Sequence, residues 1–121
     1  MAIKVNHRAV QHARSLIQRG RAVIDERDAW RGHRPSTREQ NAYIDMHGIR
    51  AYGSWFLAID DEAAEGTKAR HKFQYGDFLN VHRCAVLSAE ARAAQFRYAG
   101  VEAAAAHLHR MLDERTWSKA M

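Results

Sequence analysis

The chain has little that could cross-link or punctuate it. Its one cysteine, Cys84, excludes an internal disulfide framework and fits a reducing compartment. One proline and seven glycines leave few turn residues for an all-β fold. No apolar run approaches the ~18–20 residues of a membrane span, and Met1–His7 does not read as a signal peptide, because no apolar stretch follows Lys4. The glycine-rich phosphate loop, the HExxH and CxxC spacings and the G-x-S-x-G elbow are all missing, so no catalytic residue is nominated. What is present is 121 residues, 46% hydrophobic and 27% charged, the composition of one globular domain over 1–121 rather than of a disordered tail. The expectation is a soluble, cytoplasmic, basic protein without membrane contact.

Charge is unevenly spread. The net charge is +5, yet residues 1–38 alone hold nine basic residues against three acids, Asp25, Glu26 and Asp28. Arg8, Arg14, Arg19, Arg21, Arg27, Arg31, Arg34 and Arg38 are therefore the candidate contacts to a polyanion such as RNA or a ribonucleoprotein. Two readings stay open. Arginine is the better phosphate fork, but 15 of the 19 basic residues are arginine, as GC-rich coding would give without any binding role.

Apolar spacing predicts helices throughout. Asn6 caps a first helix to about Asp25, whose apolar arc is Ala9, Val10, Ala13, Leu16, Ile17, Val23 and Ile24. Arg8 and Arg19 border that arc on one side, and Arg14 and Arg21 on the other, as core cover or as basic rails. Residues 26–35 read as a loop. Ser36 and Glu39 form a capping box for a helix from Thr37 to Gly48, followed by a third helix carrying Ile49, Tyr52, Trp55, Phe56 and Ile59. Thr67 caps a short helix, Lys68–Phe73. Asp77 caps a long central helix, Phe78–Tyr98, through the amide of Leu79 or Asn80, and Val101–Arg115 closes the chain. The expected fold is an all-α, single-domain bundle of about five helices.

The central helix carries two residues that break its pattern. Arg92 falls in an apolar arc between Val81, Ala85 and Phe96, with His82 on its flank. A buried guanidinium needs a carboxylate, for which Asp77, Glu39, Asp45 and the Asp60–Glu65 loop are candidates. Either Arg92 is a buried structural pair, or Arg92, His82 and Asp77 build an anion pocket. The eight histidines suggest metal, but His107 and His109 point opposite ways and His7 and His12 diverge. A site would need separate helices to bring together residues such as His47, His71, His82 and Asp77, so neither metal nor cofactor is expected. Cys84 reads as a buried small hydrophobe, pointing away from His82 on a common helix.

The run Thr67-Lys68-Ala69-Arg70-His71-Lys72-Phe73-Gln74-Tyr75-Gly76-Asp77-Phe78, then Val81-His82-Arg83, resembles the central motif of a family of small bacterial hypothetical proteins, mainly actinobacterial. Asn6-His7, Trp55, Arg92-Ala93 and Val101-Glu102-Ala103-Ala104 extend the likeness over nearly the whole chain. The resemblance implies no activity, cofactor or fold. It implies only that Asp77, Phe78, His82 and Arg83 belong to one recurring arrangement.

Three functions follow as expectations. The first is a non-enzymatic binding protein whose basic N-terminal third docks on RNA or on a ribonucleoprotein machine such as the ribosome or RNA polymerase. The second is a small enzyme or ligand-binding protein built on Arg92, His82 and Asp77. The third is a homo-oligomeric adaptor, a homodimer for instance, that meets a protein partner through Trp30 and Trp117.

Overall fold

A computed structural model describes residues 2–120, with side chains as far as Arg115. The chain runs through β1 (Ile3–Val5), α1 (His7–Gln18), β2 (Ala22–Val23), a 3-10 turn (Arg27–Ala29), α2 (Trp30–His33) and α3 (Thr37–Gly53). It continues through β3 (Phe56–Asp60), a 3-10 turn (Lys68–Arg70), β4 (His71–Gln74), β5 (Val81–His82), α4 (Arg83–Gln95) and α5 (Ala99–Ala120). The all-α expectation is thus wrong: the described residues form five strands as well as five α-helices. An antiparallel sheet has the order β1-β3-β4, and β2 pairs in parallel with β5. No helix among the described residues is long and apolar enough to cross a membrane.

Asn6, the Ser36–Glu39 pair and Gly48 act where the sequence places them. Asn6 accepts from the Ala9 amide, while its Nδ2 donates to the carbonyls of Gly53 and Phe56 at 3.1 Å each, tying the start of α1 to the sheet. Gly20 (φ 79) then turns the chain, so α1 stops short of Asp25. Ser36 and Glu39 form the expected capping box. Gly48 (φ 87) marks the expected joint, in a left-handed conformation that glycine adopts without strain.

The corrections lie where helix was expected and strand forms. Phe56 and Ile59 belong to β3, where Phe56 pairs with Gln74, Ala58 with Lys72 and Ile59 with His71. The short helix from Lys68 is one 3-10 turn that gives way to β4. The long helix starts only at Arg83, because residues 78–80 form a bend and Val81–His82 pairs with Ala22–Val23. Asp77 accepts from the amides of Leu79 and Asn80 at 3.0 and 2.8 Å, as expected, but closes a turn rather than a helix.

One core joins these elements. Ala9, Ala13, Leu16 and Ile17 of α1, Leu57 and Ala58 of β3, and Val101, Ala105, Leu108 and Leu112 of α5 are buried together. Ala85, Ala89 and Ala93 are also buried, which lets α5 lie close along α4. Arg92 is not buried: α4 runs only from Arg83 to Gln95, so Val81 and Phe96 lie off the helix and the apolar arc assigned to Arg92 does not exist. It is exposed and pairs with no carboxylate among the described residues.

Candidate functional site

Two neighbouring features carry chemistry: a compact polar cluster and an open groove. The parallel pairing of β2 with β5 makes the first. It aligns Val23 with His82, and the chain leaving β2 two residues later brings Asp25 against the first turn of α4. Asp25 Oδ1 accepts from the Cys84 amide at 2.7 Å, capping α4 from a distant part of the chain where His82, the N-cap residue, supplies no side-chain bond.

The other oxygen, Asp25 Oδ2, is a hub. It lies 2.7 Å from His33 Nδ1, 2.8 Å from His82 Nδ1 and 3.0 Å from Cys84 Sγ. On its far side His82 Nε2 faces Asp77 Oδ2 at 2.8 Å. Asp25 and His82 side chains are each 7% exposed, whereas His33 is 42% exposed and forms the open edge. Burial disfavours the Asp25 carboxylate, but bonds from the Cys84 thiol, the His82 ring, the Cys84 amide and the His33 ring outweigh it and hold this carboxyl far below the usual range. Burial, then the bond to Asp25 and its charge, pushes the Cys84 thiol up to about 12. Asp77 is held below the usual range too, its burial outweighed by the Asn80 amide, the His82 ring and the Leu79 amide. Cys84 in this state is a protonated thiol, not a nucleophile.

The second feature is a groove of about 580 Å³ floored by Tyr52 and Phe56, with β4 and one face of α4 along its sides. Arg34, Lys68, Lys72 and Arg92 line it together with His71, and among the described residues no carboxylate does. Trp30, Phe73, Phe96 and Tyr98 supply rings, with Phe96 half exposed and its ring 6.0 Å from Tyr98 at an interplanar angle of 26°. Phe73 has φ 66 inside β4, a left-handed strain of order 1 kcal/mol or more for an aromatic residue. The His71 ring packs against the backbone of Gly53, where a Cβ would sit 2.5 Å from Cε1. Burial, then the charges of Arg70 and Arg8, lowers the His71 pKa and keeps the ring neutral near pH 7. A smaller cleft beside the groove is lined by Arg27, Asp28, Trp30, Arg31, Arg34, Ser88 and Arg92.

Trp30 lines both cavities, and its ring centroid lies 5.8 Å from that of His82, so groove and cluster share a wall. The expected anion pocket is therefore divided. Arg92 faces the groove, whereas His82 and Asp77 turn to Asp25 and line neither cavity. The N-terminal arginines are divided as well. Arg27, Arg31 and Arg34 line the cavities, while Arg8, Arg14, Arg19, Arg21 and Arg38 line neither. Arg8 donates to the Arg50 carbonyl and Arg19 to that of Ser15. The Trp30 expected at a protein contact is a half-buried wall residue, and Trp117 lies outside the residues whose side chains are described.

Asp25, His33, Lys68, Lys72 and Phe96 were not singled out by sequence as site residues. Lys68 and Lys72 stand in the motif run, but Asp25, His33 and Phe96 offered only residue type, since contacts such as Asp25–Cys84 span 59 positions and depend on strand pairing. Neither the family models, the curated proteins nor the solved structures contain a match to this chain, and the resemblance rests on its motif residues alone.

Proposed function

We propose that the protein is a non-enzymatic binding protein for single-stranded RNA, holding nucleotide units in the groove between β4, α4 and α2. The observation that carries this reading is the groove lining: four cationic side chains and several aromatic rings without one carboxylate among the described residues. Cations without acidic partners attract phosphate, and a ring such as half-exposed Phe96 offers any base a face to stack on. The volume of about 580 Å³ suits a nucleotide and is too small for a duplex. Arg27, Arg31 and Arg34 would extend the phosphate track out of the groove along α2.

The test is fluorescence anisotropy with a labelled single-stranded oligoribonucleotide, with the matching duplex and a mononucleotide as competitors. With about three to five phosphates contacted, log affinity should fall against log salt with a slope of roughly −2 to −3.5. Going from about 50 to 200 mM salt then weakens binding roughly 16- to 130-fold. Duplex should compete poorly. Salt-insensitive binding, or none at low salt, overturns the reading.

A further inference from the structure

The polar cluster gathers metal-ligating atoms of three residue types at one point. Two nitrogens and a sulfur, His33 Nδ1 from α2, His82 Nδ1 from β5 and Cys84 Sγ from α4, converge on the single oxygen Asp25 Oδ2. Cys84 Sγ is also 4.0 Å from His33 Nδ1, and the four atoms all lie within 4.8 Å of one another. In a tetrahedral zinc site, bonds of about 2.0–2.3 Å put neighbouring ligand atoms roughly 3.3–3.8 Å apart. Shifts of about an ångström would open the cluster around an ion of that kind.

We infer that Asp25, His33, His82 and Cys84 form a tetrahedral site for a zinc-like divalent transition metal, with Asp77 as the residue that positions His82. Two imidazoles, a carboxylate and a thiolate are ligands for zinc rather than for magnesium or calcium, which take oxygen. The Asp25 carboxylate and the Cys84 thiolate together neutralise a divalent charge; on binding, the thiol proton and the Nδ1 proton of His82 go to solvent, and His33 gives up its Nδ1 proton to its own Nε2. His82 is set for the role: with Nδ1 on the metal, its Nε2–H donates to Asp77 across the present 2.8 Å contact and fixes the tautomer. Asp25 keeps its other oxygen on the Cys84 amide, which holds the carboxylate in place. Four protein ligands fill a tetrahedron, so the centre is structural rather than catalytic. It would staple the segment 25–33, which leads into the groove arginines, to the junction of β5 and α4. The inference does not depend on what the groove binds.

Cobalt titration of the full chain, followed by absorbance, is the test. One equivalent per chain should bring visible d–d bands of tetrahedral intensity and a near-ultraviolet thiolate-to-cobalt charge-transfer band. Because Cys84 is the sole cysteine, that band assigns the sulfur ligand in the wild-type protein itself, even if a variant fails to fold. Zinc should displace the cobalt and bleach the spectrum. Cys84→Ser should lose the charge-transfer band, and Asp77→Asn should weaken cobalt affinity about 10- to 100-fold without changing the shape of the spectrum. A weak octahedral spectrum without the charge-transfer band, or binding that exceeds one equivalent and ignores both substitutions, overturns the metal centre.

Discussion

The polar cluster and the groove share the wall at Trp30 but treat charge in opposite ways. Around Asp25 every group has a partner: two imidazoles, a thiol and an amide meet one carboxylate, and a second carboxylate closes the far side of His82. In the groove, Arg34, Lys72 and Arg92 meet no carboxylate among the described residues. The difference separates two uses of polar residues. A compensated, buried set holds chain segments together, because removing one member strands the rest. An uncompensated, open set contributes little to the fold and keeps its attraction for a ligand.

The largest expected effect breaks the compensated side. Asp25→Ala leaves His33 Nδ1, His82 Nδ1, the Cys84 thiol and the Cys84 amide in the first turn of α4 without their acceptor, and should lower stability by about 3–5 kcal/mol in a urea titration. A loss below about 1 kcal/mol would place the cluster with the groove, as a set that does not hold the fold. On the open side, Phe96→Ala should do the reverse. With Phe96 at 52% exposure, stability should stay within about 0.5 kcal/mol, while oligonucleotide affinity falls by about 1–3 kcal/mol, the usual worth of one stacked base. Asp77→Ala removes bonds to two amides and to His82, and should cost about 1–2 kcal/mol of stability with little change in oligonucleotide affinity.

The smallest effect is on pH. Burial lowers the pKa of His12 and of His71; for His12 the Ser54 carbonyl opposes the shift and the charges of Arg19 and Arg8 add to it. The unfolded chain therefore takes up protons first, near the ordinary histidine value of about 6.5. The resulting stability is complete above that pH and is lost as pH falls through the lowered folded values. Denaturant midpoints from pH 7.5 to 5 should decline, and a His12→Gln, His71→Gln double variant should decline less.

The four long helices were legible because their signals are local, whereas α2, four residues inside a stretch that reads as a loop, was not. Asn6, Ser36 with Glu39, and Gly48 each act within a turn or two, and each sits where its residue type requires. The strands were not legible. β2 and β5 are two residues each, too short to show a period, and β3 is almost wholly buried, so Tyr52, Trp55, Phe56 and Ile59 mimic helical spacing across a strand start. Those missed strands hid the site. Placing His82 and Cys84 on one helix turned them apart, whereas the change from strand to helix between them lets both reach Asp25. A helix continuing past Gln95 would likewise bury Arg92, whereas the actual end of α4 leaves it in the groove.

Two charge-reversed proteins decide the central claim, that unpaired cations in the groove, and not basic charge in general, hold the ligand. Arg34→Glu with Arg92→Glu reverses two groove cations; Arg8→Glu with Arg19→Glu makes the same charge change on α1, outside both cavities. Oligoribonucleotide affinity at one fixed low salt concentration is measured for both. The account predicts a loss of about 30-fold or more for the groove pair and less than about fivefold for the α1 pair, with a salt slope shallower by about one to two only in the former. Equal losses from the two pairs would contradict it.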